Sequence, residues 1–110
     1  MANSFKRYVE RSVGTSLTPV GSYVVASDTQ VTVIGLTISN VLSVSVDVDA
    51  VLNDGVNNTY IVKSAPVPSG GSLVIVGGEQ KLVLEPGDSV QVVASASDAC
   101  DCVLSVLEIS

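Results

Sequence analysis

The stretch SVSVDVDA, residues 43–50, alternates strictly between valines and small polar or acidic side chains. Val44, Val46 and Val48 would face one way, and the serines and aspartates beside them the other. A period of two residues is typical of a β-strand with one buried and one solvated face. Similar short apolar runs recur along the chain, at residues 5–13, 22–26, 31–39, 59–64, 72–76, 81–85, 89–95 and 102–109.

Turn-forming residues separate these runs. Asp54 and Gly55 predict a type I′ hairpin turn, whose two central positions both need positive φ. The segment EPGD, residues 85–88, predicts a type II turn, because proline fixes φ at its second position and glycine permits positive φ at its third. Pro66 and Pro68 place their segment on an edge strand or a crossing loop. Eight or nine short strands without helices between them predict one all-β domain, an antiparallel β-sandwich or jelly roll of about eight strands.

The basic residues concentrate at the start of an acidic chain. Residues 1–14 carry a net charge of +2, whereas residues 15–110 carry −8. We interpret 1–14 as a basic N-terminal arm or edge strand and 15–110 as the sandwich domain. A body of charge −8 repels phosphate, so we expect no nucleic-acid partner. We also expect no membrane partner and no signal peptide, because no segment has the apolar length that either requires.

The residue types that most catalytic sites need are missing. The chain has no histidine, which removes Ser-His-Asp and Cys-His nucleophiles, most zinc sites and the usual general base near neutral pH. Neither a G-x-S-x-G elbow nor a glycine-rich phosphate loop occurs. Paired carboxylates can hydrolyse glycosides, but four aromatic residues offer little surface for stacking a sugar. We therefore predict a protein without enzymatic activity.

Two stretches carry candidate metal ligands. Cys100 and Cys102 form a C-x-C pair, which supplies two ligands where structural zinc takes four. On a strand their thiols lie about 7 Å apart, too far for an undistorted disulfide, so we expect reduced cysteines packed as small apolar groups. The oxygen-rich stretch DVDAVLNDGVNN, residues 47–58, has Leu52 where a calcium loop has glycine. A solvated strand face followed by a hairpin explains it, and we predict neither metal nor cofactor.

The N-terminal segment has two interpretations. As an arm, Phe5 and Tyr8 would enter apolar pockets of a neighbouring subunit or protein, while Lys6, Arg7 and Arg11 pair with carboxylates there. The sandwich would then be complete without the arm, from residue 23 onward. As a first strand of the sandwich, the segment would use its cations to protect an exposed edge.

The chain holds more apolar surface than a small domain buries alone. Its mean hydropathy is +0.52, its aromatic content is 4%, and valine supplies 23 residues. The last run is apolar on both faces, with Val103, Leu107 and Ile109 on one of them. We interpret these three as candidates for a subunit interface. A central strand under a long loop is the alternative explanation.

Part of the sequence also resembles a known class of proteins. The block APVPSGGSLVIVGGEQKLVLEPGDSVQVVAS, residues 65–95, and the ending VLSVLEIS, residues 103–110, look like small virion structural proteins of tailed bacteriophages. In those proteins a P-x-P/G turn, a run like SLVIV, an L-x-PGD turn and a closing S-x-L-E-I strand recur in this order. The start, MANSFKRY, is also similar to theirs. The resemblance covers most of the chain and rests on turns and strands, not on catalytic motifs.

The resemblance implies a virion subunit assembled in the host cytoplasm. It would form a homo-oligomer, expected to be a trimer, and decorate or cement the capsid by contacting the major capsid protein or another virion protein. One alternative is a neck or tail component that anchors fibres. A different class is a small carbohydrate- or cell-surface-binding module, which the low aromatic content disfavours.

Overall fold

The alternating runs form nine β-strands in the computed structural model of the protein, which describes residues 3–77 and 81–109. The strands are β1 (Asn3–Val13), β2 (Thr18–Pro19), β3 (Gln30–Asn40), β4 (Val46–Asn53), β5 (Asn58–Val67), β6 (Ser72–Val76), β7 (Leu82–Leu84), β8 (Ser89–Ala94) and β9 (Cys100–Ile109). A 3-10 turn, Val20–Ser22, follows β2. Within the described residues no helix has the length and apolar character to span a bilayer. The prediction of an all-β sandwich is confirmed.

The strands pair as a nested antiparallel hairpin. β1 pairs with β9, β2 with β8, β3 with β6 and β7, and β4 with β5. These pairs alternate between two sheets, one of five strands (β1-β9-β3-β6, with β7 also on β3) and one of four (β2-β8-β4-β5). A long hairpin rolled alternately into two sheets is the jelly-roll arrangement. The first and last strands of the chain are thus neighbours in one sheet.

The core lies between the two sheets and consists mainly of branched aliphatic side chains. Leu104 and Val106 on β9 are fully buried, as are their partners on β3, Leu36 and Val33. The four-stranded sheet contributes Val48 and Val92, which are also fully buried. β-branched side chains suit this pleated, interdigitated interior because their χ1 angle is already restricted. The high valine content therefore reflects core packing as well as exposed surface.

Two turn predictions have different outcomes. Gly87 has φ of 90° and the Asp88 amide donates to the Glu85 carbonyl at 3.0 Å, so the type II turn is confirmed. The prediction of a two-residue turn at Asp54 is wrong. The paired ends of β4 and β5 enclose the four-residue loop 54–57, in which only Gly55 has positive φ. The Asp54 carboxylate accepts hydrogen bonds from two amides of that loop, which stabilises the longer turn.

The weak strand expected at 22–26 is also absent. This segment runs extended after the 3-10 turn, and Val25 exchanges two backbone hydrogen bonds with Gly87 and Asp88 but joins no ladder. At Val41–Ser45, before β4, the alternation likewise does not produce a strand, and Val44 is exposed. The buried Asn40 side chain hydrogen-bonds three backbone groups in this region, including the Val67 carbonyl, and so fixes a loop there.

The N-terminal segment is an edge strand of the five-stranded sheet. β1 pairs with β9 from Asn3↔Ile109 to Glu10↔Cys102 and, after a bulge, at Val13↔Cys100. Val13 is buried in the core. The expectation that the sandwich is complete from residue 23 onward is therefore revised, because without β1 the strand β9 would lose one of its two ladders.

Candidate interaction surfaces

The inward-facing side chains of β1 contact other residues of the same chain. The Tyr8 ring stacks on Tyr23 with centroids 4.1 Å apart and planes 18° from parallel. The Glu10 carboxylate accepts a hydrogen bond from the Gly21 amide at 3.0 Å. Gly21 has φ of 64°, and a Cβ there would lie 2.7 Å from the Tyr8 Cβ, so only glycine lets the 3-10 turn approach β1 this closely. Tyr8 is therefore part of the sandwich, not a free anchor.

A polar cluster ties β1, β9 and the segment after the 3-10 turn together. Glu108 on β9 accepts a hydrogen bond from the Tyr23 hydroxyl at 2.5 Å and forms an ion pair with Lys6 at 2.9 Å. The Tyr23 hydrogen bond, followed by Lys6, lowers the pKa of the Glu108 carboxyl below its ordinary value. Burial, followed by the hydrogen bond to Glu108, raises the pKa of Tyr23. Lys6, one of the five predicted arm residues, is thus used inside the chain.

Replacing Glu108 by Gln tests this cluster through the pH dependence of stability. A carboxyl whose pKa is lowered by folding contributes stability that is present above its unfolded-state pKa of about 4.3 and lost as pH falls through the folded value. We expect Glu108→Gln to lower the free energy of unfolding at pH 7 by about 1 kcal/mol, because the amide oxygen of Gln can still accept from Tyr23 but lacks the charge that strengthens the bond. The difference from the natural chain should shrink below about pH 4.3.

The measurement is urea unfolding at a series of pH values from neutral to acid. Asp98→Asn, at an exposed loop carboxylate, is the matched control and should follow the natural chain throughout. A Glu108→Gln difference that is constant across that range would contradict the account, because the carboxylate would then contribute nothing through its charge.

The outward face of the five-stranded sheet carries two rows of side chains across the strands, and each row is apolar except for one threonine on β3. The register places Phe5, Leu107, Thr32 and Val83 in one row, and Val9, Val103, Thr37 and Val74 in the other. The exposed fraction is 76% for Phe5, 65% for Val83 and 63% for Val74. We call this surface, defined by Phe5, Val9, Val74, Val83, Val103 and Leu107, the apolar face. Exposed apolar side chains gathered on one sheet face are typical of a surface that binds another protein.

Two of the three residues predicted as interface candidates, Val103 and Leu107, belong to the apolar face together with Phe5 of the predicted arm, and Ile109 lies on the same side of β9. Val103 is exposed and Leu107 and Ile109 are half-buried on the outward side of β9. Phe5 and Arg7 lie beside them on β1, both exposed. Arg11 is also exposed, near the bulge that interrupts β1. Within residues 3–77 and 81–109, neither arginine forms an ion pair. Sequence reasoning had assigned these residues to two separate surfaces, which the pairing of β1 with β9 unites.

Three residues of the apolar face were missed, namely Val9, Val74 and Val83. Val74 and Val83 occupy the outward positions of SLVIV and KLVLE, runs that are apolar at successive positions. A strand that is apolar on both faces was the signal noted for residues 102–109. The same criterion, applied to these two runs, would have identified Val74 and Val83.

A cleft of about 500 Å³ opens at one end of the apolar face. The residues that line it are Gln30, Val31, Thr32, Val83, Leu84, Glu85, Pro86 and Ile109. Its walls come from β3, β7, the type II turn and the end of β9. The face is therefore not flat, since it has a protruding ring at Phe5 and a concavity three strands away.

The opposite sheet has a different chemistry on its outward face. Asp47 and Asp49 lie there on β4, beside a shallow depression of about 220 Å³. Asp49 accepts a hydrogen bond from the Ser64 amide at 2.6 Å, and Asn53 from the Gly55 amide at 2.8 Å. The oxygen atoms of this stretch thus bind nearby backbone, as expected of a strand and hairpin. Among the described residues no group of three or more Cys, Asp or Glu could hold a metal ion.

The aromatic rings are poorly placed for binding a sugar. Tyr8 and Tyr23 stack on each other, which leaves Phe5 and Tyr60 as the exposed rings. Phe5 lies on the apolar face, whereas Tyr60 lies on β5 of the other sheet, under the Lys63 ammonium at 4.5 Å. Two rings on opposite sides of the sandwich cannot hold the same sugar, so the arrangement disfavours a carbohydrate-binding module.

Both cysteines are free and buried on the inward side of β9. Burial raises the pKa of the Cys102 thiol to about 12 and also raises that of Cys100. A thiol with a raised pKa and no access to solvent is a weak nucleophile and a weak metal ligand. The pair therefore acts as small apolar packing groups beneath β1.

No protein-family model matches the sequence, and no curated protein is significantly similar to it.

Proposed function

We propose that the protein is a non-enzymatic structural subunit of a bacteriophage virion that stabilises the capsid shell, as a decoration or cement protein. The observation that carries this proposal is the apolar face, a set of aliphatic side chains and one phenyl ring gathered on one side of a β-sheet. Such a surface favours association with another folded protein, because burying it removes apolar area from water. The resemblance of residues 65–95 and 103–110 to phage virion proteins supplies the kind of assembly.

The fold and the charge distribution support the same role. Jelly rolls occur among viral capsid and lectin domains, although a fold alone does not decide function. The acidic residues Asp47 and Asp49 lie on the sheet opposite the apolar face. When the apolar face is buried in an assembly, the acidic sheet would point outward and keep finished particles apart by charge repulsion.

The test uses virions from which the protein is missing, to which the purified chain is added. We expect saturable binding in numbers comparable with the major capsid protein. The double variant Phe5→Glu/Val83→Glu should bind at least about tenfold more weakly, because two carboxylates would be buried without partners.

The matched control is Val44→Glu/Val56→Glu, which adds the same two charges at exposed valines outside the apolar face. It should bind like the natural chain. Equal binding by the two double variants would overturn the proposed role of the apolar face.

A further inference from the structure

We infer that the apolar face pairs with the same face of a second copy of this chain, around a two-fold axis parallel to the strands and midway between β9 and β3. The inference rests on the proposed function, in which the apolar face joins subunits of a shell, and adds that the subunit joined there is a second copy. Variants that break the pair would then weaken binding to virions, because single copies attach less tightly than linked pairs. It replaces the trimer implied by the resemblance with an isologous pair, in which each subunit contributes the same patch.

The strand register makes the face complementary to itself. Within one row the order across the sheet is Phe5 on β1, then β9, then β3, then Val83 on β7. A two-fold axis between β9 and β3 reverses that order, so Phe5 of one copy faces Val83 of the other. In the second row the same operation sets Val9 opposite Val74. One two-fold axis therefore brings apolar side chains into contact in both rows.

The protruding ring and the cleft also match under this operation. Phe5 is the most exposed aromatic side chain of the described residues, and Val83 forms part of the cleft wall with Pro86 and Ile109. A cleft of about 500 Å³ accommodates a phenyl ring. The two-fold places the ring of each copy over the cleft of the other, which fills both concavities and covers both rings.

The charges of the face permit this pairing and disfavour the alternative. Arg7, between the rows, lies on the edge strand β1. The axis therefore places the two copies' arginines at opposite solvent-exposed rims of the pair, roughly 14 Å apart along the sheet, where salt screens their repulsion. Stacking the apolar face on the acidic sheet of another copy would instead bury Asp47 and Asp49 against valines. A head-to-tail stack of this kind would also never close, so its terminal copy would always keep an apolar face exposed to solvent.

The area is sufficient for a weak, specific pair. Four strand positions about 4.8 Å apart, each with about nine residues rising 3.3 Å, give a flat footprint of roughly 500 Å² per copy. The pair therefore buries about 1,000 Å² in total, without the extra area that protruding side chains add to a flat footprint. This area is near the lower limit for a specific interface.

The first measurement is light scattering on the purified natural chain at about 100 µM, a concentration that populates a pair of micromolar affinity. We expect twice the mass of the 11.2 kDa chain. Phe5→Glu should weaken the pair at least about tenfold, and Val56→Glu should not. A monomer or a trimer would overturn the inference.

The second measurement fixes the register with a bismaleimide that spans about 10 Å, the separation of packed sheets. The double variant Phe5→Cys/Val83→Cys should give covalent dimers, whereas each single variant should give almost none. Cys100 and Cys102 are buried and remain protected. Equal dimer yield from Phe5→Cys alone would overturn the two-fold register.

These outcomes separate the inference from the proposed function. Neither measurement uses virions. A chain that is monomeric in solution but still binds to virions would refute the pair and leave the structural role intact. A pair that forms in solution from a chain absent from virions supports the inference and refutes the virion role.

Discussion

Deletion of residues 1–11 is expected to abolish cooperative folding of the sandwich. The deletion removes most of β1, including Tyr8 from its stack on Tyr23 and Lys6 from its ion pair with Glu108. It also exposes the edge of β9 that pairs with residues 3–10 in the natural chain. Domains of this size are stable by only about 5–15 kcal/mol, so the loss of a whole ladder and its packing is comparable with the total. Far- and near-ultraviolet circular dichroism with thermal unfolding measures the result.

The control keeps β1 but changes what it presents to solvent. Phe5→Ser/Arg7→Gln/Val9→Ser alters three outward positions and leaves every inward contact in place. This variant should unfold cooperatively near the temperature of the natural chain at low protein concentration. A deletion variant that unfolds with an unchanged midpoint would show that residues 1–11 are a detachable arm and that β1 is dispensable.

Leu104→Ala is expected to lower the free energy of unfolding by about 3–5 kcal/mol, the upper part of the range for buried leucines. Leu104 is fully buried at the middle of β9, between Tyr8 on β1 and Leu36 on β3. Because ladders on both sides hold the backbone, the site cannot collapse around the cavity. Urea denaturation should show a lower midpoint with an unchanged slope.

Val56→Ala is the matched control, since this side chain is 85% exposed in the loop between β4 and β5. Its effect should remain within about 0.5 kcal/mol. A Leu104→Ala cost below about 1 kcal/mol would contradict the burial of Leu104 in the core.

The fold class followed from local patterns, whereas the strand neighbours did not. Period-two alternation and the EPGD turn act over a few residues, and both are visible in the sequence. The pairing of β1 with β9 joins residues about a hundred positions apart, such as Phe5 and Leu107. No local signal encodes that contact. The two-residue turn predicted at Asp54 was wrong because the Asp54 carboxylate favours a longer loop through hydrogen bonds that composition does not reveal.

The candidate surface was predictable in its parts but not as one surface. Phe5, Val103 and Leu107 were chosen from the sequence for separate reasons, namely an arm and a two-faced last strand. Tyr8 and Lys6 share the arm's composition but face inward, and which residues of β1 face inward depends on its register with β9. A one-residue slip would exchange the two sets. Register is a tertiary property, so the sequence could not separate a contact made within the chain from one offered to a partner.

The most direct test of the proposed structural role is the number of copies of this chain in purified virions of the bacteriophage to which the proposal assigns it, determined by quantitative gel densitometry against the major capsid protein. The proposed function predicts a copy number comparable with that of the capsid protein. A few copies per virion would instead indicate a neck or tail component. Complete absence of the chain from purified virions would contradict the account.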